Sequence, residues 1–146
     1  MPSRPEPPAP MPLSERLDYA RRKVGGDPLA TDLGIVVEEL AEGRAVVSLV
    51  PAARHLNAVG RVHGSALYAL ADQAMAVAAN TLERRALIVQ AQINFVDKAL
   101  PGDKLLATAQ ARDLKRSLSL WEVTIRDQGG RTVALAQGLG YHGGAG

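Results

Sequence analysis

Four residues in the stretch HLNAVGRVHGSALYALADQA, residues 55–74, have types and spacing that could do chemistry: Asn57, His63, Gly64 and Asp72. Asn57 and His63 fall in a glycine-containing loop, Gly64 opens a run of strong helix formers, and Asp72 lies on that helix. A helix start presents unpaired N–H groups and the positive end of the macrodipole, so it can hold the negative oxygen that develops when a carbonyl is attacked. Glycine there lets a ligand approach the backbone closely. A carboxylate on the third turn of an apolar, alanine-rich helix gains little from the dipole and is expensive to bury, so it is harder to explain by structure alone. Each residue also has a plain structural use. Asp72 and its polar neighbour Gln73 would then face solvent, Asn57 would form a turn, His63 would cap the helix, and Gly64 would provide a tight entry.

Other motifs carry less. Residues 138–143, GLGYHG, spell GxGxxG, but a dinucleotide fingerprint must open a helix between two strands, and this string lies three residues from the end of the sequence. No phosphate loop, GxSxG elbow or HExxH helix occurs. His55, His63 and His142 are too widely spaced for a local ligand set, and the absence of cysteine removes disulfides, thiolate nucleophiles and Cys-based metal sites. Neither a metal nor a cofactor is expected.

The elements that must position these residues follow from the patterning. The first twelve residues carry six prolines and no apolar stretch of a secretory signal, and are expected to form a disordered arm. LSERLDYARRKV, from Leu13, has helical spacing, with Ser14 as its cap and Gly25-Gly26 as its stop. LGIVVEEL and RAVVSLV flank Ala41-Glu42-Gly43 as a hairpin, and residues 51–62 read as a loop. A long helix runs from Gly64 to about Leu82, with Leu67, Leu70, Ala71, Ala74 and Ala78 on one stripe. Four strands follow: ALIVQAQINFV, KLLATAQARDL, SLSLWEVTIRD and TVALAQGLGYH, the last three as an antiparallel meander. Trp121 and Phe95 are expected in the sheet core. The result is an α+β domain, one central helix against an antiparallel sheet, over residues 13–146.

Composition narrows the function classes. A chain of 146 residues with 47% hydrophobic side chains makes one globular domain with a modest core. A net charge of +2 is far from the dense positive field of a nucleic-acid binder, although small acidic ligands remain open. No apolar run reaches the roughly 18 residues of a membrane span, and a cytoplasmic location is expected.

On Asn57, His63-Gly64 and Leu70-Ala71-Asp72, the sequence resembles the hotdog-fold acyl-CoA thioesterases of the phenylacetic-acid-degradation (PaaI) type. Their signature is an Asn, a His-Gly-Gly at the helix start and a Leu-Ala-Asp nine residues after that His. The likeness in element order extends over about residues 28–142. It implies a hotdog fold, an antiparallel sheet wrapped around the central helix, and hydrolysis of an acyl-CoA. By the same resemblance Asp72 acts as nucleophile or general base, the Gly64 amide polarises the thioester carbonyl, and Asn57 and His63 orient the reacting groups. Ser65 stands where the family usually has its second glycine, and with Tyr68 it is expected to meet substrate. The basic pairs Arg84-Arg85 and Lys115-Arg116 are candidates for the coenzyme A phosphates, and the resemblance favours Lys115 and Arg116, although Leu114 stands where relatives often carry glycine.

Helix geometry adds a separate expectation. Gly64 and Asp72 are eight residues apart, which at ~1.5 Å rise is about 12 Å along one helix. Reacting groups must come within about 3 to 3.5 Å, so a thioester served by both would need Asp72 from a second, antiparallel copy. A dimer or a dimer of dimers is expected. Two other readings stand beside hydrolysis: a non-catalytic acyl-CoA binding protein, and a hotdog hydratase or dehydratase using a His and an acidic residue.

Overall fold

The computed structural model describes Met1, Ser3 and residues 9–143, so half of the arm expected over residues 1–12 lies outside the described residues. Helix α1 (Leu13–Tyr19) leads into a π-helical turn (Ala20–Val24), followed by α2 (Pro28–Leu33). The hairpin β1 (Val36–Ala41) and β2 (Arg44–Leu49) precedes the loop that carries Asn57, and α3 (Gly64–Ala79) is the long helix. Strands β3 (Leu87–Phe95), β4 (Leu105–Leu114), β5 (Leu118–Arg126) and β6 (Thr132–Tyr141) complete the chain. All pairings are antiparallel, in the order β1-β2-β4-β5-β6-β3. The hotdog arrangement is present: one six-stranded sheet curved around α3.

Two details of the N-terminal region differ from the sequence reading. Ser14 is the second residue inside α1 and caps nothing; Pro12, held extended at φ −56° and ψ 150°, occupies the cap position. Helix α2 leaves no apolar period in the sequence, because it has only 6 residues. Its punctuation is nevertheless complete: Asp27 accepts from the Ala30 N–H at 3.0 Å, Pro28 opens the helix, and Gly34 ends it at φ 80°.

The core lies between α3 and the concave face of the sheet. Leu67, Leu70, Ala71, Ala74 and Ala78 are all buried, as their spacing requires, and so are Met75, Val77 and Ala79. The first two glycines of the GxGxxG string, Gly138 and Gly140, are packing residues on β6. A Cβ on Gly138 would stand 2.7 Å from Met75 Sδ and from the Gln90 carbonyl oxygen, and one on Gly140 would stand 2.6 Å from Ser119 Oγ. Without those side chains, α3 settles against the sheet.

Candidate active site at the start and third turn of α3

The loop before α3 is closed by backbone pairing. Leu56 bridges Val62, and the His63 N–H donates to the His55 carbonyl at 2.7 Å, which folds residues 55–63 back on themselves. Buried His55 is the post under this loop: its Nδ1 accepts from the Ala52 N–H at 2.9 Å and its Nε2 donates to the Leu33 carbonyl at 2.8 Å. Here His55 is structural, which its sequence context did not reveal.

Both plain uses weighed for Asn57 and His63 are real, and each leaves a donor over. Asn57 Oδ1 accepts from the Val59 and Arg61 N–H groups, each at 3.0 Å, so Asn57 forms the turn. Its Nδ2 pairs with no described residue. His63 caps α3 by accepting the Ser65 N–H on Nδ1 at 2.9 Å, so the neutral ring carries its proton on exposed Nε2. Gly64, first in the helix, has an N–H without a partner among the described residues. Three N–H donors, on Asn57, His63 and Gly64, therefore have no partner among the described residues.

Phe95 covers that start and corrects the expectation that it lies in the sheet core. It is 53% exposed, and its ring carbons lie only 3.0–3.5 Å from where a Gly64 Cβ would stand. The ring rests on the glycine, so Gly64 is needed for space as well as for its N–H. Trp121, by contrast, is fully buried as expected. Ser65 and Tyr68 are exposed beside the same end of the helix.

Asp72 and Gln73 separate into different environments. Gln73 is buried and donates from Nε2 to the Val24 carbonyl at 2.8 Å, clamping α3 to the π-helical turn rather than facing water. Asp72 is half-buried with no donor among the described residues. Burial pushes its carboxyl above the ordinary value of 3.8, and the nearby Asp27 carboxylate adds to the rise. Such a carboxylate is basic and unspent. Because α3 is unbroken from Gly64 to Ala79, Asp72 stands about 12 Å from Gly64 along the axis. One chain does not bring them together.

The two basic pairs do meet. Arg84 Nη1 donates to the Arg116 carbonyl at 3.4 Å, although Lys115 is partly neutralised by Asp113 at 3.1 Å and Arg85 turns away to stack on Tyr19 at 4.4 Å. Among the described residues no three His, Asp or Glu side chains gather as a metal-binding group, and no helix is long and apolar enough to cross a membrane. An open groove of about 680 Å³ on α1, lined by Ser14, Glu15, Tyr19 and Arg85 among others, includes none of the residues around Gly64 or Asp72.

Residues 59–134 match the family model of the thioesterase superfamily. The chain is 36% identical over 115 residues to the acyl-coenzyme A thioesterase PaaI of Escherichia coli, covering 79% of this chain and 82% of that protein. The solved structure of the E. coli PaaI protein superposes with a TM-score of 0.86 at 33% identity, over 92% of this chain and 98% of the other. A hypothetical thioesterase from Streptococcus pneumoniae, solved with coenzyme A, gives 0.70 at 25% identity, over 73% and 86% of the two chains.

Proposed function

The chain belongs to the thioesterase superfamily, and from that premise we propose that it hydrolyses an acyl-CoA thioester to a free acid and coenzyme A at a site shared by two copies of the chain. The observation that carries this reading is the pairing, on one helix, of a free N–H at Gly64 with a half-buried, unpartnered carboxylate at Asp72. Asp72 from one copy takes a proton from water as the oxygen attacks the thioester carbon, or attacks that carbon itself. The resulting oxyanion accepts from Gly64 N–H of the other copy. Collapse breaks the C–S bond, and the departing thiolate takes up a proton; where Asp72 itself attacks, water then cleaves the mixed anhydride left on its carboxylate and releases the free acid. Asn57 Nδ2 and His63 Nε2–H are donors that position the acyl and thioester groups. Ser65 and Tyr68 contact substrate beside them.

Strand β3 supports the dimer. It ends the sheet, pairing among the described residues only with β6, and presents a nine-residue edge on which Leu87 is 74% exposed and Phe95 53%. A long apolar edge of this kind is a template for another strand. A two-fold axis through the middle of β3 would pair the two edges antiparallel and reverse the two α3 helices, the arrangement that brings Gly64 of one copy toward the partner's Asp72. Lys115 and Arg116 hold the coenzyme A phosphates, and the pairing of a coenzyme A complex with the same fold in the streptococcal relative supports that ligand. His63 is a poor candidate for the base of a hydratase, since Nδ1 is occupied by the Ser65 N–H and Nε2 bears the proton.

The test is thiol release from a panel of aryl and straight-chain acyl-CoAs. Release from at least one, abolished by Asp72→Ala, is expected. Tight binding of acyl-CoA with no release from any would replace hydrolysis by binding alone.

A further inference from the structure

Buried His142, which the reaction does not use, hydrogen-bonds both loops that carry the basic residues. Its Nδ1 lies 2.8 Å from the Arg84 carbonyl, and its backbone N–H donates to the Ser117 carbonyl at 2.8 Å, one residue beyond Arg116. The loop after α3 and the β4–β5 turn are thus joined through one residue. The polarity of the join is fixed. A carbonyl only accepts, so Nδ1 donates to Arg84; Nε2 is then the acceptor, 2.7 Å from Ser119 Oγ. The Ser119 oxygen is itself positioned by the Trp121 Nε1–H at 2.7 Å, so the chain runs from the core indole through Ser119 and His142 to the Arg84 backbone. Gly140 leaves room for it, since a Cβ there would stand 2.6 Å from Ser119 Oγ. Asn80 clamps the other end of the Arg84 loop, accepting from the Ala86 N–H at 3.0 Å and donating to the Ala86 carbonyl at 3.1 Å.

This is costly construction for surface loops. Three buried polar side chains, His142, Ser119 and Asn80, are spent on the placement of loops whose outward groups are cations. Neither Arg84 nor Arg116 has an ion-pair partner among the described residues.

We propose that His142 is a positioning residue that holds the two basic loops as one anion-binding patch, and that Arg84 is a third cation of that patch, beside Lys115 and Arg116, for the phosphates of coenzyme A. The inference rests on the acyl-CoA reading above and deepens it. Arg84 supplies a planar, forked donor with no competing carboxylate, whereas Lys115 shares its charge with Asp113.

The experiment compares Kd for coenzyme A with Kd for pantetheine, which has the same thiol arm without the nucleotide phosphates, and KM for the matching acyl thioesters. His142→Ala and Arg84→Met are each expected to weaken coenzyme A binding and raise KM for acyl-CoA about five- to ten-fold, the loss of one hydrogen bond at a solvent-screened surface. Pantetheine binding and kcat should stay near the parental values. His142→Asn keeps an amide donor where Nδ1 stood and is expected to restore most of the affinity. It carries the test together with Arg84→Met if His142→Ala does not fold. A His142→Ala effect of equal size on both thiols, or no rescue by His142→Asn, would make His142 merely structural and overturn the proposal. An unchanged coenzyme A affinity in Arg84→Met would remove Arg84 from the patch. If replacing Lys115 and Arg116 also leaves the coenzyme A to pantetheine ratio untouched, the phosphate reading itself fails. If that double variant changes the ratio while His142→Ala and Arg84→Met do not, only the present inference fails.

Discussion

Mixing two inactive variants tests the shared site directly. Helix α3 is continuous from Gly64 to Ala79, so the eight residues between the N–H donor and the carboxylate amount to about 12 Å, several times the roughly 3 to 3.5 Å that reacting groups allow. Asp72→Asn removes the carboxylate's charge and keeps its shape. Gly64→Pro removes the N–H, and the local backbone suits it. Residue 64 is the first of the helix, its N–H makes no bond there, and His63 at φ −63° and ψ 138° already has the conformation preferred before proline. The added ring carbon would meet Phe95 at about 3.0 Å, and Phe95, 53% exposed, has space to move aside by a few tenths of an ångström. Each variant alone should release almost no thiol. After co-refolding equal amounts, half the dimers are mixed. In each of these one site collects both lesions and the other is whole, so about a quarter of parental activity should return under two-fold symmetry. Native mass spectrometry counts the mixed dimers while thiol release is measured. Abundant mixed dimers without recovered activity would refute the shared site, because each variant retains what the other lacks.

Asp72→Asn alone is expected to lower kcat by about 10² or more and at the same time to raise Tm at neutral pH. The fold lifts the Asp72 pKa, so the native state resists ionisation and loses stability as pH rises through the ordinary value of 3.8 toward the raised one; the Tm gain should vanish below that window. A kcat within a few-fold of the parent, or a Tm that does not rise, would contradict the assignment. Replacing Lys115 and Arg116 by Ala should raise KM for acyl-CoA with little change in kcat, since phosphates far from the reacting carbon supply mostly uniform binding, and added salt should act in the same direction. An unchanged KM at low ionic strength would return the pair to ordinary surface. Gly138→Ala should cost about 1–3 kcal/mol in denaturant unfolding, the usual penalty of overpacking, because its Cβ would lie 2.7 Å from the Gln90 backbone oxygen. Parental stability in that variant would mean that α3 and the sheet have slack between them.

Local chemistry was legible in the residues. The hairpin at Ala41-Glu42-Gly43, the start of α3 at Gly64 and the β4–β5–β6 meander are all where turn residues and apolar periods placed them, because such signals depend on near neighbours in the chain. The motif of Asn57, His63-Gly64 and Asp72 was legible for the same reason, as spacing along one loop and one helix. Tertiary structure decided what depends on distant partners. Gln73 and Asp72 are adjacent in sequence, yet one is buried against the Val24 carbonyl and the other is half-buried beside Asp27, because consecutive helical residues point about 100° apart and what each meets is set by another segment. Phe95 could not be placed from its strand, since its surroundings depend on β3 closing the sheet beside β6 and on Gly64 offering no side chain. His142 read as a stray histidine in a rejected glycine string. Only the antiparallel pairing of β5 with β6 and the return of the chain after α3 put Ser119 and the Arg84 carbonyl within hydrogen-bond reach of its ring, and pairings across such separations leave no period in a sequence.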